Sequence, residues 1–258
     1  MTHSQLSEAG RQELICSYPV TLRSVGQCTD RIMTWIDSGS IAKYLICANP
    51  HSLVEAEKDP EFKRAILHAD LVLPDGIGIV VASKMLRGRI RERITGSDIF
   101  RSVSRRLSDQ GYGRVFFLGS TKSNLAEIKQ KMAMDYPGIS AVGSYSPPFK
   151  PRFSDIDNAD MIDAVNRFRP DVLWVGMTAP KQEKWIYGNR DRLNVRFSGA
   201  IGAVFDFYIG RVKRSHPVFQ KTGLEWLPRL LRQPRRLWRR TLLSAPRFLS
   251  MVVRTRIN

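Results

Sequence analysis

The chain has little from which to build a metal centre or a disulfide framework. Its 258 residues include three cysteines (Cys16, Cys28, Cys47) and four histidines. No cysteine pair has CxxC spacing and no HExxH occurs, and an odd cysteine count closes no framework. Zinc-finger, zinc-protease and disulfide-scaffold classes are excluded, and a reducing compartment is expected. The absence of a GxSxG elbow removes serine-hydrolase chemistry of that kind. No run approaches the roughly 18 apolar residues that a membrane-spanning helix needs. The stretch from Met1 to Arg11 is polar, without the apolar centre of a secretory signal. The expectation is a cytoplasmic protein, soluble or peripheral to a membrane.

What is present is an ordinary globular body with an unusual end. Hydrophobic residues make up 43% and charged residues 25%, enough for a sizeable core. The net charge is +17, unevenly spread. From Arg211 onward there are thirteen Lys/Arg and one Glu, a net +12, which leaves +5 for the first 210 residues. A basic terminal segment of this kind meets polyanions: anionic lipid, nucleic acid or a pyrophosphate ligand. From Leu224 to Val253 the pattern reads as helix broken near Pro228, Pro234 and Pro246, with leucines at three-to-four spacing among arginines. A basic amphipathic helix carrying tryptophan suits a membrane interface. Docking of its apolar stripe on the body is the alternative.

The body alternates two periods. Strands are expected at 43–47, 71–73, 114–118, 140–144, 172–176 and 195–201. Helices are expected at 25–38, 50–68, 77–86, 98–110, 123–136, 158–168 and 180–192. Several strands are unbroken apolar runs (VFFLG, VLWVGM), as in a parallel sheet covered on both faces. The fold expected is α/β, a doubly wound Rossmann-like sheet over residues 1–210, with a basic helical appendage at 211–258. Residues 145–157 hold three prolines and read as a loop or lid.

In such folds, ligands sit beyond the carboxyl ends of the strands, so the loops there come first. In Pro74-Asp75-Gly76, Asp75 either takes a proton from a bound hydroxyl or caps the next helix. The adjoining glycine run fails as a dinucleotide fingerprint because Val81 stands at the third glycine position. Ala179-Pro180-Lys181-Gln182 opens a helix after a strand, with proline expected at the first helical position. This is either an anion site aided by Lys181 and Gln182, or a plain helix start. The Gly119-Ser120-Thr121-Lys122 loop allows the same pair of readings, with the wrong spacing for a Walker loop. Ser97 or Asp98 is expected to cap a helix, with Arg93 before it on a phosphate or a carboxylate. Asp206 either accepts from ribose hydroxyls or caps the tail. Asp155-Ile156-Asp157 matches an Asp-x-Asp metal pattern but lies before a helix in a capping context.

Taken in order, these segments resemble the WecG/TagA/CpsF glycosyltransferases. The resemblance rests on Cys47-Ala48-Asn49-Pro50, Asp59-Pro60-Glu61-Phe62, Leu71 to Gly78, Arg93 to Asp98, Pro170 to Gly176, Ala179 to Trp185, Gly202 to Phe207, and Gly223 to Arg240. It implies inverting transfer of N-acetylmannosamine or a related hexose from a UDP-sugar to an undecaprenyl-diphosphate-linked sugar. Surface polysaccharide, exopolysaccharide or teichoic-acid-type synthesis would be the setting. By position, it makes Asp75 the catalytic base, Asn49 and Cys47 part of the acceptor pocket, and Arg93, Gln182 and Asp206 contacts to the donor. Arg229, Arg236 and Arg239 would face the diphosphate. It implies a peripheral place on the inner face of the membrane and self-association until membrane binding frees the tail; from the residues themselves, without metal-ligand spacing, no metal or other cofactor is expected, and no nucleic-acid partner. Relatives often carry Thr where Cys47 stands, and cysteine is the weaker hydrogen-bond donor. A peripheral membrane or nucleic-acid binding module using the tail alone is the rival reading.

Overall fold

The computed structural model describes residues 11–212 and 244–257. Six strands form one parallel sheet: β3 (Lys43–Ala48), β4 (Leu71–Pro74), β5 (Arg114–Gly119), β6 (Ala141–Tyr145), β7 (Val172–Gly176) and β8 (Phe197–Ala200). Their spatial order is β4-β3-β8-β7-β5-β6, with every neighbouring pair parallel. All six strands expected from the apolar runs are there, shifted by two residues at most. The connections are helices: α1 (Val25–Asp37) leads in, α2 (Pro50–Ala56) and α3 (Pro60–Leu67) join β3 to β4, and α4 (Ile77–Met85) and α5 (Gly96–Gln110) join β4 to β5. Then come α6 (Lys122–Asp135), α7 (Asp155–Phe168), α8 (Lys181–Asn189), α9 (Val204–Tyr208) and α10 (Ser244–Ile257). The result is a Rossmann-like α/β fold.

The apolar runs are explained by two cores, one on each face. Tyr44, Ile46, Val72, Phe116, Leu118, Leu173 and Val175 pack on the side of α2, α3, α4, α7 and α8. Their alternating neighbours Leu45, Leu71, Leu73, Val115, Phe117, Val172 and Trp174 pack on the side of α1, α5 and α6. Successive strand residues point to opposite faces, so only a sheet covered twice tolerates such runs. Each buried Leu, Val, Ile or Phe contributes about 1.5–3 kcal/mol. Trp174 sits between Phe100 and Phe197, both edge-on, at centroid distances of 5.6 and 5.7 Å. A Cβ at Gly199 would stand 2.3 Å from the Trp174 ring, so β8 approaches that ring only through glycine.

Several local expectations are corrected. The helix expected at 50–68 is two helices. Asp59 accepts from the amides of Glu61 and Phe62 and so begins a new one, with Pro60 in its first turn. A hairpin not read from the sequence, β1 (Gln12–Ile15) with β2 (Tyr18–Thr21), precedes α1. Its two-residue turn is Cys16-Ser17, both at positive φ (50° and 72°), where Asn-Gly is the usual signal. Helix α5 begins at Gly96 and is capped by Thr95, not by Ser97 or Asp98; Asp98 is the reciprocal member of that capping box. Pro180 stands at the N-cap of α8, one position before that expected. Residues 155–157 belong to α7, not to the preceding loop.

The helix expected over 224–253 lies outside the described residues up to 243. Arg229, Arg236 and Arg239 lie outside them as well. The remaining helix, α10, buries Phe248 and Val252 against the first core and packs beside α2 and α4. Pro246 falls within its first turn, where a missing N–H costs nothing.

Candidate active site

The carboxyl ends of all six parallel strands open into one cavity of about 670 Å³. Cys47 (β3), Asp75 (after β4), Gly119 (β5), Ser146 (after β6), Gly176 (β7) and Ala200 (β8) all line it. Between β7 and β5 the winding of the sheet changes direction, β7 leading toward β8 and β5 toward β6 on opposite faces, which is where parallel sheets leave a crevice.

At the β4 end, Asp75 is anchored by its backbone, its amide donating to the carbonyls of Ala48 (2.8 Å) and Leu73 (2.9 Å). Asp75 is not the N-cap of helix α4, which runs from Ile77 with Gly76 (φ 110°) in the cap position. Beside it, Asn49 caps α2: its Oδ1 accepts from the Ser52 amide at 3.0 Å, and its own amide donates to Ser52 Oγ at 2.8 Å. Cys47 lines the floor. Burial holds its thiol well above the ordinary thiol range, and the charges of Asp75, Glu183 and Asp98 push in the same direction. It therefore remains a protonated thiol, a weak donor.

At the middle, Gln182 is 4% exposed and Glu183 3%, and both line the cavity. The Gln182 Oε1 accepts from the Met177 amide at 3.2 Å, and its Nε2 donates to Glu183 Oε1 at 2.9 Å. One of its two amide hydrogens is thereby used. A Cβ at Gly202 would lie 3.4 Å from both polar atoms of this amide, so a glycine there leaves it room.

Toward β5, the backbone folds flat against the cavity. Gly119 has φ 121°, and a Cβ on it would meet the Gly176 carbonyl at 2.3 Å. Asn124, buried in the first turn of α6, donates to Ser120 Oγ at 3.0 Å and to Asp206 Oδ1 at 3.2 Å. It thereby fixes the Asp206 carboxylate of the cavity.

Of the residues singled out in the sequence, Asp75, Cys47, Asn49, Gln182 and Asp206 are brought together here. Arg93 is half-buried and does not line the cavity. Lys181 does line it, but its ammonium donates to the Lys150 carbonyl and lies 4.0 Å over the Phe153 ring. Desolvation lowers its pKa. Glu183, Asn124 and His51 were not read from the sequence: a Glu in a helix's first turn ordinarily faces water, and an Asn three residues after Thr121 reads as part of a cap. The His51 Nδ1 lies 2.8 Å from Ser244 Oγ, which ties the start of α10 to the cavity rim. Asp157, the other acidic candidate, is outside the cavity. It accepts from Ser154 N, Ser154 Oγ and Lys150 Nζ as part of a capping box.

A Rossmann-like sheet that gathers four carboxyl groups, Glu55, Asp75, Glu183 and Asp206, and the held Gln182 amide around one crevice has the form of an enzyme's binding site. Residues 14–258 match the Glycosyl transferase WecG/TagA/CpsF family, and the chain belongs to it. It is thus a glycosyltransferase acting on a hexose. It is 34% identical to an N-acetylglucosaminyldiphosphoundecaprenol N-acetyl-beta-D-mannosaminyltransferase of Bacillus spizizenii over 221 residues, 86% of this chain and 82% of that one. Proteins with the same name in Bacillus subtilis and Staphylococcus aureus are 29% and 25% identical. They cover 84% and 89% of this chain, and 82% and 87% of their own lengths.

Proposed function

We propose that the chain transfers N-acetylmannosamine, or a close hexose relative, from a UDP-sugar to a sugar carried on undecaprenyl diphosphate, with inversion at the anomeric carbon. The observation that carries this reading is the single cavity shared by Asp75, Gln182 and Asp206. The acceptor hydroxyl attacks the anomeric carbon and gives its proton to Asp75. The bond from that carbon to the diphosphate breaks, and UDP departs with the electron pair. Asn49 and Cys47 flank the base on the acceptor side. The charge growing on UDP is met by the second amide hydrogen of Gln182 and by arginines of the basic segment, without a metal. Asp206, held by Asn124, accepts from the ribose. Arg93 carries no step in this scheme.

The chain leaves the described residues just after Val212, whose amide donates to the Asp206 carbonyl. It re-enters at Ser244, bonded to His51. Both anchors line the cavity, which supports a role there for Arg229, Arg236 and Arg239. No helix among the described residues is long and apolar enough to cross a membrane. A peripheral place at the inner membrane face is supported by the +12 segment. It is supported too by α10, where Leu249, Val253 and Ile257 form an exposed apolar row with Arg247, Arg254 and Arg256 on the same helix.

The test is a panel of UDP-sugars offered with a short-chain lipid-diphosphate N-acetylglucosamine and read by mass spectrometry. Gain of one N-acetylhexosamine from UDP-N-acetylmannosamine is expected. No transfer from any UDP-sugar, together with liposome flotation, would favour instead a membrane-binding module that uses only the basic segment.

A further inference from the structure

The body of the molecule carries a second concentration of positive charge, apart from the basic segment near its end. The first 210 residues hold +5 in all, and the stretch from Lys84 to Arg93 has five Lys/Arg against one Glu, a net +4. Arg89 of that stretch joins Arg11 before β1 and Arg23 after β2 around a cavity of about 360 Å³, with Leu22 and Gln27 completing its wall. Among the described residues no carboxylate lines this cavity, and it shares no residue with the one at the strand ends. Arginines gathered around one hollow repel one another, and an anion between them turns that repulsion into attraction.

The arginines stand on a built frame. Arg23 is 3% exposed, and its amide donates to Thr21 Oγ1 at 3.2 Å. Burying a guanidinium is costly unless its hydrogen bonds are met, and with five donors one protein partner leaves others for a ligand. Arg89 is exposed, yet its turn is pinned. Glu13 accepts from the amides of Arg89 and Ile90, the Ile90 amide reaches Ser83 Oγ at 3.0 Å, and Arg91 Nη1 donates to the Gly88 carbonyl at 2.8 Å. A Cβ at Gly88 would stand 1.8 Å from Glu13 Oε1, so only glycine admits this bracing. Gln27 spends its Oε1 on the Ser24 amide in the capping box of α1, which leaves Nε2 as a donor. The first turn of α1 holds no acidic residue, so the positive end of that helix adds to the same field.

We propose that this cavity is a binding site for a phosphate group, held between Arg23 and Arg89 with Arg11 and Gln27 completing the cradle. Guanidinium forks match phosphate oxygens two by two, which makes arginine rather than lysine the fitting residue here. The cavity has more room than one phosphate fills, and Leu22 gives it an apolar wall, so the group arrives as an ester. Two sources present that chemistry: the headgroup of an anionic phospholipid and a soluble phosphate ester. The site stands whichever sugar the chain transfers.

The test is calorimetric titration of the full chain with glycerol phosphate, beside cosedimentation with phosphatidylglycerol vesicles. Arg89→Glu is expected to weaken binding about tenfold or more, and Arg23→Lys, which keeps the charge and loses the fork, by a similar factor. Arg87→Glu makes the same charge change in the same turn at a residue that does not line the cavity, and should stay within about threefold. Arg87 and Arg89 are both exposed, so those two variants should melt with the parent. A deficit on vesicles in Arg89→Glu beyond that in Arg87→Glu supports the site and assigns it to the lipid headgroup. Equal sedimentation, with glycerol phosphate binding lost in Arg89→Glu alone, supports it and assigns a soluble ester. Equal losses in Arg89→Glu and Arg87→Glu on both probes, or binding by Arg89→Glu that matches the parent on both, would overturn the proposal.

Discussion

Two acidic helix starts, Pro74-Asp75-Gly76 and Ser154-Asp155-Ile156-Asp157, look interchangeable as strings and behave as opposites. In the second, Asp157 accepts from the backbone and hydroxyl of Ser154 and from Lys150, and its helix begins on that box. In the first, the cap position is a glycine, and the carboxylate lines a cavity with the polar groups that follow the five other strands. A carboxylate that satisfies its own helix is spent. One that stands a residue before the cap position, at the end of a parallel strand, lines the cavity instead, where we propose that it meets the acceptor. The difference lies in one register position, with Gly76 at φ 110° taking the cap site.

Substitutions at the two sites should separate accordingly. Asp75→Asn is expected to lower turnover about 10²–10⁴-fold, the ordinary worth of a general base, with UDP affinity and melting temperature unchanged. Steady-state transfer and a UDP titration on the same preparation check this. Gln182→Ala sharpens the comparison from the middle of the cavity. It removes the Met177 and Glu183 bonds and a donor to the departing diphosphate, so kcat/KM for the donor should fall about tenfold or more.

Asp157→Asn should leave turnover alone and lower the melting temperature slightly, by about 2 °C. Its effect has a pH signature. Lys150 and then Ser154 hold the Asp157 carboxyl down at about 2, below its unfolded value. Its contribution is therefore fully present above about pH 4 and is lost as pH falls toward about 2. The mutant and parent melting curves should converge in acid. Smallest of all is the effect of EDTA, for which transfer is expected to be unchanged. A strict requirement for Mg²⁺ would return Asp155 and Asp157 to the chemistry and break the comparison at its root.

The fold was largely legible because its strongest signal, the doubly buried strand, needs no context. VFFLG and VLWVG cannot sit on a half-wet sheet. The missed hairpin shows the opposite case: Cys16-Ser17 carries none of the glycine or asparagine that normally marks a turn of positive φ, and only tertiary packing selects it. The split at Asp59-Pro60 was written in plain capping letters and was passed over because the apolar pattern runs on through Phe62 and Ile66.

The cavity lining was legible at Asp75 and Asn49, which directly follow strands, and at Gln182 and Asp206, which stand in the helices that come next after β7 and β8. It was illegible where a side chain acts across the sheet. The bond from Asn124 to Asp206 spans 82 residues and that from His51 to Ser244 spans 193, separations no local pattern encodes. Glu183 was invisible for another reason. Its neighbours in sequence predict a wet helix face, and only the depth of the β7 carboxyl end buries it.

The most direct measurement of the central claim is a crystal structure of the chain with UDP bound. The account predicts the ribose at Asp206, the diphosphate near Gln182, and its terminal phosphate directed toward Asp75. UDP lying in the reverse sense, with its base beside Asp75, or outside this cavity altogether, would contradict it.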